Sequence, residues 1–253
     1  MKYLFNNIKA NFYKLLHSKQ LWLHLLIPIL GIVVFGGYYS YSPWDEFDKI
    51  SVFIQIVAMT FPIVISIVVT MLYEEELKAG SFQNILTSPC SKSIPHLSNL
   101  ISVCIFGLIA CVFTVLGLGI VFKIMGYRAL SLFAFFKISL VLFLSNISLY
   151  VLQYIICFTL GNGISLGFGI VGTLLSPLLY LGLGEVIWKY IPCGYGIRIS
   201  TYYFCKIVDV QTYDNILQDF KTGIIISSII LMASIILFLV WSNNWQGSKY
   251  KNE

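Results

Sequence analysis

The sequence predicts an all-α integral membrane protein. Six transmembrane helices follow an N-terminal amphipathic interfacial helix, with a short cytoplasmic helix after the second span and an external, partly helical segment before the last span. Three observations predict this. Charged residues make up only 11% of the 253-residue chain, against about 25% in a soluble domain. They collect in short stretches, leaving six apolar runs, roughly 21–41, 51–73, 97–122, 138–160, 163–184 and 222–241, each near the ~20 helical residues that cross a bilayer. None of the runs alternates polar and apolar residues as the strands of a membrane barrel do. Helices are therefore expected, because lipid offers no partner to an unpaired backbone group.

The first twenty residues do not read as a cleavable signal: the apolar run after them is too long, and no small-x-small site closes it. Instead Leu4, Phe5, Ile8, Phe12, Leu15 and Leu16 form an apolar stripe, with Lys2, Lys9, Lys14 and Lys19 on the polar side. That pattern suits a helix lying in the membrane interface; a basic leader that only orients the chain would carry the same lysines. Basic residues divide evenly between the two sides over the whole chain, so the flanks of the first span decide the orientation. The leader holds four Lys against one, Lys49, in the loop that follows span one. Both termini are accordingly read as cytoplasmic, and the abundance of Ile, Lys, Asn, Tyr and Phe points to an AT-rich bacterial genome, hence to a bacterial plasma membrane. The net charge of +5 is spread over membrane flanks, so no nucleic-acid partner is expected.

Among the loops, 42–50 is short and acidic, 74–96 is cytoplasmic and 123–137 external. Gly161-Asn162-Gly163 suits a tight turn with positive φ, which makes spans four and five a helical hairpin. In the segment 185–221, Trp188 and Tyr190 predict a stretch at the headgroup level or dipping back into the membrane. The six cysteines contain no Cys-x-x-Cys, so no metal pattern is present. Cys193 and Cys205 share one external segment, either as two thiols or as a disulfide.

The stretch between spans two and three divides in two. Glu74, Glu75 and Glu76 carry the second span past the membrane surface, and Gly80 can end that helix with a left-handed cap. Ser81 then caps a short helix over 82–87, stopped by Ser88-Pro89, with Phe82, Ile85 and Leu86 on one apolar face. Such a face suits docking into a partner's groove; a solvated linker is the plain alternative.

This segment resembles the cytoplasmic loop of type-2 ABC exporter permeases, especially those of lantibiotic immunity and antimicrobial-peptide resistance. The resemblance runs from Glu74-Glu75-Glu76 through Lys78-Ala79-Gly80, Phe82-Gln83-Asn84, Leu86 and Ser88-Pro89 to Lys92. It extends to the layout of leader, six spans and the segment Ile191-Pro192-Cys193-Gly194-Tyr195-Gly196-Ile197-Arg198 before the last span. It implies a single permease domain over 1–253 that is not itself an enzyme. A separate dimeric ABC ATPase would hold ATP and Mg²⁺, and this chain would bind no cofactor. Glu74, Glu75, Glu76, Gly80, Phe82, Ile85, Leu86 and Pro89 would couple to that subunit, the short helix acting as a coupling helix and the acids meeting basic groups on the ATPase. A second permease copy or a sister permease would complete the transporter, and the cargo would be a lantibiotic-like or cationic antimicrobial peptide expelled from the lipid bilayer. Spans two and five would line the path.

Spacing adds its own observations. Gln55, Met59, Pro62 and Ser66 form one stripe on span two, and Asn146 and Gln153 sit two turns apart on span four. Polar groups at that depth face protein or a cavity, so they line a substrate path or act as packing contacts between helices. Glu185, at the outer end of span five, is either an attractor of cationic cargo or a solvated acid. No phosphate-binding loop is present, and His24 is the one ionisable group of the relay type in the spans, which argues against ion coupling. Two other functions share parts of the pattern. A glutamate-dependent intramembrane protease would need His and a nearby Arg, and spans two to six hold no His. A non-transporting membrane partner, such as a sensor or channel subunit, lacks only the need for an ATPase.

Overall fold

The computed structural model describes residues 2–89, 91–208 and 210–247. Its helices are α1 (Lys2–Leu16), α2 (Lys19–Tyr41), α3 (Glu46–Lys78), α4 (Gln83–Leu86), α5 (Ser93–Ile124), α6 (Leu132–Ser145), α7 (Ile147–Leu160), α8 (Asn162–Tyr180), α9 (Tyr195–Val208) and α10 (Val210–Asn244). Three 3-10 turns connect α8 to α9. Six stretches among the described residues are long and apolar enough to cross a membrane: α2, α3, α5, the pair α6–α7, α8 and most of α10. The all-helical, six-span architecture is the one expected from the sequence.

Boundaries differ where capping or pairing overrides hydropathy. Helix α3 starts at Glu46 rather than near 51, because the Asp45 side chain accepts from the Phe47 amide at 3.2 Å and caps the helix. Glu46 then reaches across the bundle to accept from the amides of Arg128 and Ala129. Lys49, counted from the sequence as a loop cation, is buried; its Nζ donates to the Tyr39 carbonyl and the Tyr127 hydroxyl. The last span is the upper part of one long helix beginning at Val210, so the expected external segment is mostly helical. Span four is broken at Asn146, whose Nδ2 donates to the Leu142 carbonyl at 2.8 Å. A side chain that bonds the backbone of its own helix competes with the regular ladder.

That break makes room for α9. Its residues from Tyr195 to Thr201 are buried in succession, so it is enclosed on all sides, against α6, α10 and α3. Gly196 sits against the Asn146 amide, where a Cβ would lie 2.6 Å from Nδ2. Trp188, expected at the headgroup level, is fully buried instead, because its ring fills the space left by Gly223 of α10 and its Nε1 donates to Asp219. Tyr190 keeps the exposed position that its neighbour lacks.

Glycines bring α3 and α8 close together. Gly169 and Gly172 lie on Ser66 and Pro62, with no room for a Cβ. Pro62 cannot donate to the helix ladder, and the amide of Ile63 beside it donates to Thr173 Oγ1 of α8 at 3.1 Å. Gly163 and Gly167, on the same helix, have nothing within 4 Å. Of the small-residue faces on span five, the one through Ser165, Gly169 and Gly172 is therefore the buried one. Gly169→Ala is expected to destabilise the purified chain by about 1–3 kcal/mol through overpacking. Gly167→Ala should be neutral or stabilising, since Ala favours a helix over Gly by about 1 kcal/mol. Thermal unfolding of the two variants side by side checks this; equal losses would contradict the assignment.

Candidate functional site

The connection from α3 to α5 is the most constrained turn in the chain. Helix α3 ends at Ala79, and Gly80 takes φ +126°, as expected for a glycine terminator. Ser81 and Phe82 follow with φ of 52° and 65°. Left-handed backbone at two non-glycine residues costs about 1–3 kcal/mol each. Hydrogen bonds from the Ser81 and Phe82 amides to the carbonyls of Leu77 and Glu76 hold the turn. Helix α4 begins at Gln83, with Phe82 rather than Ser81 at its cap position and no side-chain cap. The single left-handed residue read from the sequence is thus a run of three.

The conformation at Phe82 turns its ring into the bundle. Phe82 is 4% exposed and meets Tyr73 of α3 at 5.1 Å, Trp245 at 5.4 Å and Phe158 of α7 at 5.9 Å between ring centroids. His96 of α5 completes the box beside Tyr154, Trp241 and Trp245, with Nδ1 2.9 Å from the Tyr154 hydroxyl. Trp245 Nε1 donates to the Phe158 carbonyl, and Lys92 Nζ to the Trp245 carbonyl. The ring of Phe82 thus meets α3, α7 and the residue just after α10, while His96 of α5 closes the box behind Phe158 and Trp245. Burying a Phe contributes about 1.5–3 kcal/mol, and each ring pair about 0.5–1.5 kcal/mol, so packing offsets the strain of the turn.

Ile85 is buried with Phe82, and Leu86 is half-buried. The apolar face of α4 points into its own bundle, the reverse of the docking face expected from the pattern. Amphipathicity fixes two faces but not which of two apolar surfaces, internal or foreign, one of them meets. The side chains at the surface are Gln83, Asn84, Thr87 and Pro89.

The three acids that precede the turn are engaged within the chain. Glu74 accepts from Lys78 at 3.1 Å and from Asn162 Nδ2, at the start of α8, at 3.1 Å. Glu76, 5% exposed, pairs with Lys14 of α1 at 3.2 Å. Glu75 lies beside Ser18 and Gln20 at the junction of α1 and α2. Asn11 of α1 is buried as well, donating to Ser98 and to Asn99 of α5. The leader is thus bolted to the bundle by polar contacts on its buried side, which an apolar stripe alone does not announce.

Residues 7–176, well over half of the chain, match the family described as ABC-2 family transporter protein. The chain belongs to the ABC-2 family. Comparison with curated proteins finds no match. Members of this family are membrane components of transporters, and membership implies an ABC ATPase partner.

In this permease the stripe on α3 faces α8. Gln55 donates to Tyr180 Oη and Ser51 Oγ at 3.1 Å, Met59 is half-buried, and Ser66 packs on Gly169. Asn146 is buried against α9, while Gln153 donates to Ser165 of α8 at 3.1 Å across the hairpin. The turn of that hairpin has its positive φ at Gly161, and α8 starts one residue later. A cavity of about 170 Å³ opens on the other face of α3, towards α2 and α5, lined by His24, Val57, Phe61 and Gly107 among others.

Glu185 is exposed at the end of the bundle opposite α4. There it borders a cavity of about 780 Å³ that also contains Arg198, Thr201, Tyr202 and Asp219. Arg198, a loop cation by sequence, is buried at 7% exposure. It donates from Nε to the Leu179 carbonyl and from Nη1 to Tyr202 Oη. Tyr202 in turn donates to Asp219, which also accepts from Trp188 and Lys189. Burial pushes the Tyr202 phenol up to about 12, so its proton stays in place for that bond at any physiological pH. No disulfide joins Cys193 and Cys205.

Breaking the pair between leader and span has a defined signature. Glu76→Lys should loosen α1 and raise cleavage of the leader in limited proteolysis. A Lys14→Glu, Glu76→Lys double variant should restore most of the protection. The half-exposed Lys14 limits the coupling to about 1 kcal/mol, and a double variant no better than the sum of the singles would contradict the pairing.

Proposed function

We propose that this permease is the membrane subunit of an ATP-driven exporter that expels lantibiotic-like or cationic antimicrobial peptides from the bilayer. The observation that carries the ATP-driven part is the junction at α4. A helix of one turn exposes Gln83, Asn84 and Thr87 while its base, Phe82 and Ile85, is buried in the bundle. A push on the exposed side is delivered to the interior without any motion of the linker being lost. The α4 end then faces the cytoplasm, with both termini on that side. ATP and Mg²⁺ belong to a dimeric partner ATPase, which closes on ATP and presses on α4. A second permease copy, or a sister permease, completes the assembly.

In this reading the acids act as internal tie-rods. Glu76 transmits movement of the α3 end to the leader through Lys14, and Glu74 transmits it to α8 through Asn162. Spans two and five, packed directly on one another through Ser66 and Gly169, move as a unit against the rest of the assembly, with the half-buried Gln55 and Met59 at the edge of their seam bordering the path. The peptide cargo rests on the resemblance of residues 74–92 to permeases of lantibiotic immunity.

Two experiments separate the coupling from the cargo. Asn84→Trp alters only the exposed side of α4 and is expected to abolish co-purification with the ATPase while leaving membrane insertion normal; full recovery of the complex would contradict the docking surface. A Glu75→Ala, Gly80→Pro double variant, whose proline cannot take φ +126°, should lose survival in the presence of a lantibiotic at equal expression. If the unaltered permease with its ATPase gives no survival advantage against such peptides, the cargo assignment fails and the coupling assignment stands.

A further inference from the structure

The cavity at the end of the bundle opposite α4 contains a charge that the chain does not neutralise. A guanidinium stays protonated under all conditions a protein meets, and a buried charge is stable only when paired or fully hydrogen-bonded. Arg198 uses Nε and Nη1, but its Nη2 is buried without a hydrogen-bond partner. No carboxylate among the described residues forms an ion pair with it. Asp219 is occupied by Lys189, Tyr202 and Trp188. The rings of Tyr180, Trp188 and Tyr202, 5.5–6.0 Å from the guanidinium carbon, soften the deficit, yet an aromatic face accepts no hydrogen bond of full strength. One turn further along α9, Thr201 Oγ1 is also buried and without a partner. Both residues border the same 780 Å³ space. Of the buried polar atoms left without a partner among the described residues, only these two belong to this cavity, whose exposed acid, Glu185, makes no ion pair with Arg198. Buried donors left unpaired call for an acceptor.

We infer that this cavity is a binding site for the phosphate of an anionic phospholipid headgroup. Arg198 and Thr201 donate to the phosphate oxygens, a charge-assisted geometry suited to a planar guanidinium. The cavity wall supplies the argument for a lipid over free phosphate. Leu181 and Val186 border it and are 57% and 76% exposed, an apolar rim that acyl chains would cover. The cavity lies beyond the end of α8 and beside the first turns of the last span, at the level where headgroups sit. The lipid would fix α9 against α8 and α10, and so hold the end of the permease opposite α4.

Native mass spectrometry of the full chain taken from nanodiscs of mixed phosphatidylglycerol and phosphatidylcholine tests this. The unaltered chain is expected to retain phosphatidylglycerol over phosphatidylcholine. Arg198→Gln should remove the preference. Thr201→Val, which keeps the shape and deletes one donor, should weaken retention about tenfold while unfolding no earlier than the unaltered chain. That variant keeps the test decisive should Arg198→Gln fail to fold. Equal retention of the two lipids by the unaltered chain, unchanged retention in Thr201→Val, or displacement of the lipid by millimolar inorganic phosphate would each overturn the inference.

Discussion

One aromatic ring, that of Phe82, ties the turn before α4 to α3, α7 and the end of α10. Its position depends on a backbone that L-residues avoid, maintained because the ring is surrounded by Tyr73, Phe158 and Trp245. Strain and packing are of similar size, so neither persists alone: without the box the turn would relax, and without the turn the ring would leave the box. The consequence is that α3, α7 and the end of α10 share a single contact at the base of α4. A displacement of α4 cannot be absorbed by a soft linker, since Phe82, the residue just before it, is already part of the core.

The acids next to this turn extend the same constraint to elements that the ring does not touch. Glu76 takes hold of the leader and Glu74 the start of α8, each through one polar pair. Further along, Gly169 and Gly172 bring α8 against Ser66 and Pro62 of α3 so closely that the two helices cannot slide independently. Close packing of this kind favours discrete rearrangements over gradual deformation. The proposed transport cycle therefore moves α3, α8 and the leader together.

Much of this architecture was legible in the sequence, because hydropathy and charge segregation are strong signals in lipid. Six spans, the amphipathic leader, the glycine turn at Gly161 and the termination at Gly80 all follow from local chemistry. What was not legible depends on partners distant in the chain. Lys49 and Arg198 look like loop cations until Tyr39, Tyr127, Leu179 and Tyr202 are brought around them. Trp188 looks interfacial until Gly223 vacates a place for it. The apolar stripe on α4 is correct as a stripe, but its direction is decided by an aromatic box assembled from α3, α5, α7 and α10. The acids at 74–76 read as a surface patch because their partners, Lys14 and Asn162, lie about sixty and ninety residues away. For the path residues, sequence identified which positions carry polar groups; only the fold reveals that Ser66, Asn146 and Gln153 are buried against neighbouring helices.

The central claim, that force enters through α4 and reaches the spans through Phe82, is tested most directly by the ratio of peptide moved to ATP hydrolysed. The permease and its ATPase would be reconstituted in proteoliposomes, and Phe82→Ala compared with the unaltered chain at equal insertion. Removing the ring keeps the exposed side chains Gln83, Asn84 and Thr87 but lets the turn relax away from the core, so hydrolysis should persist while peptide movement per ATP falls about tenfold, within the usual range of coupling between two sites. An unchanged ratio would contradict the account.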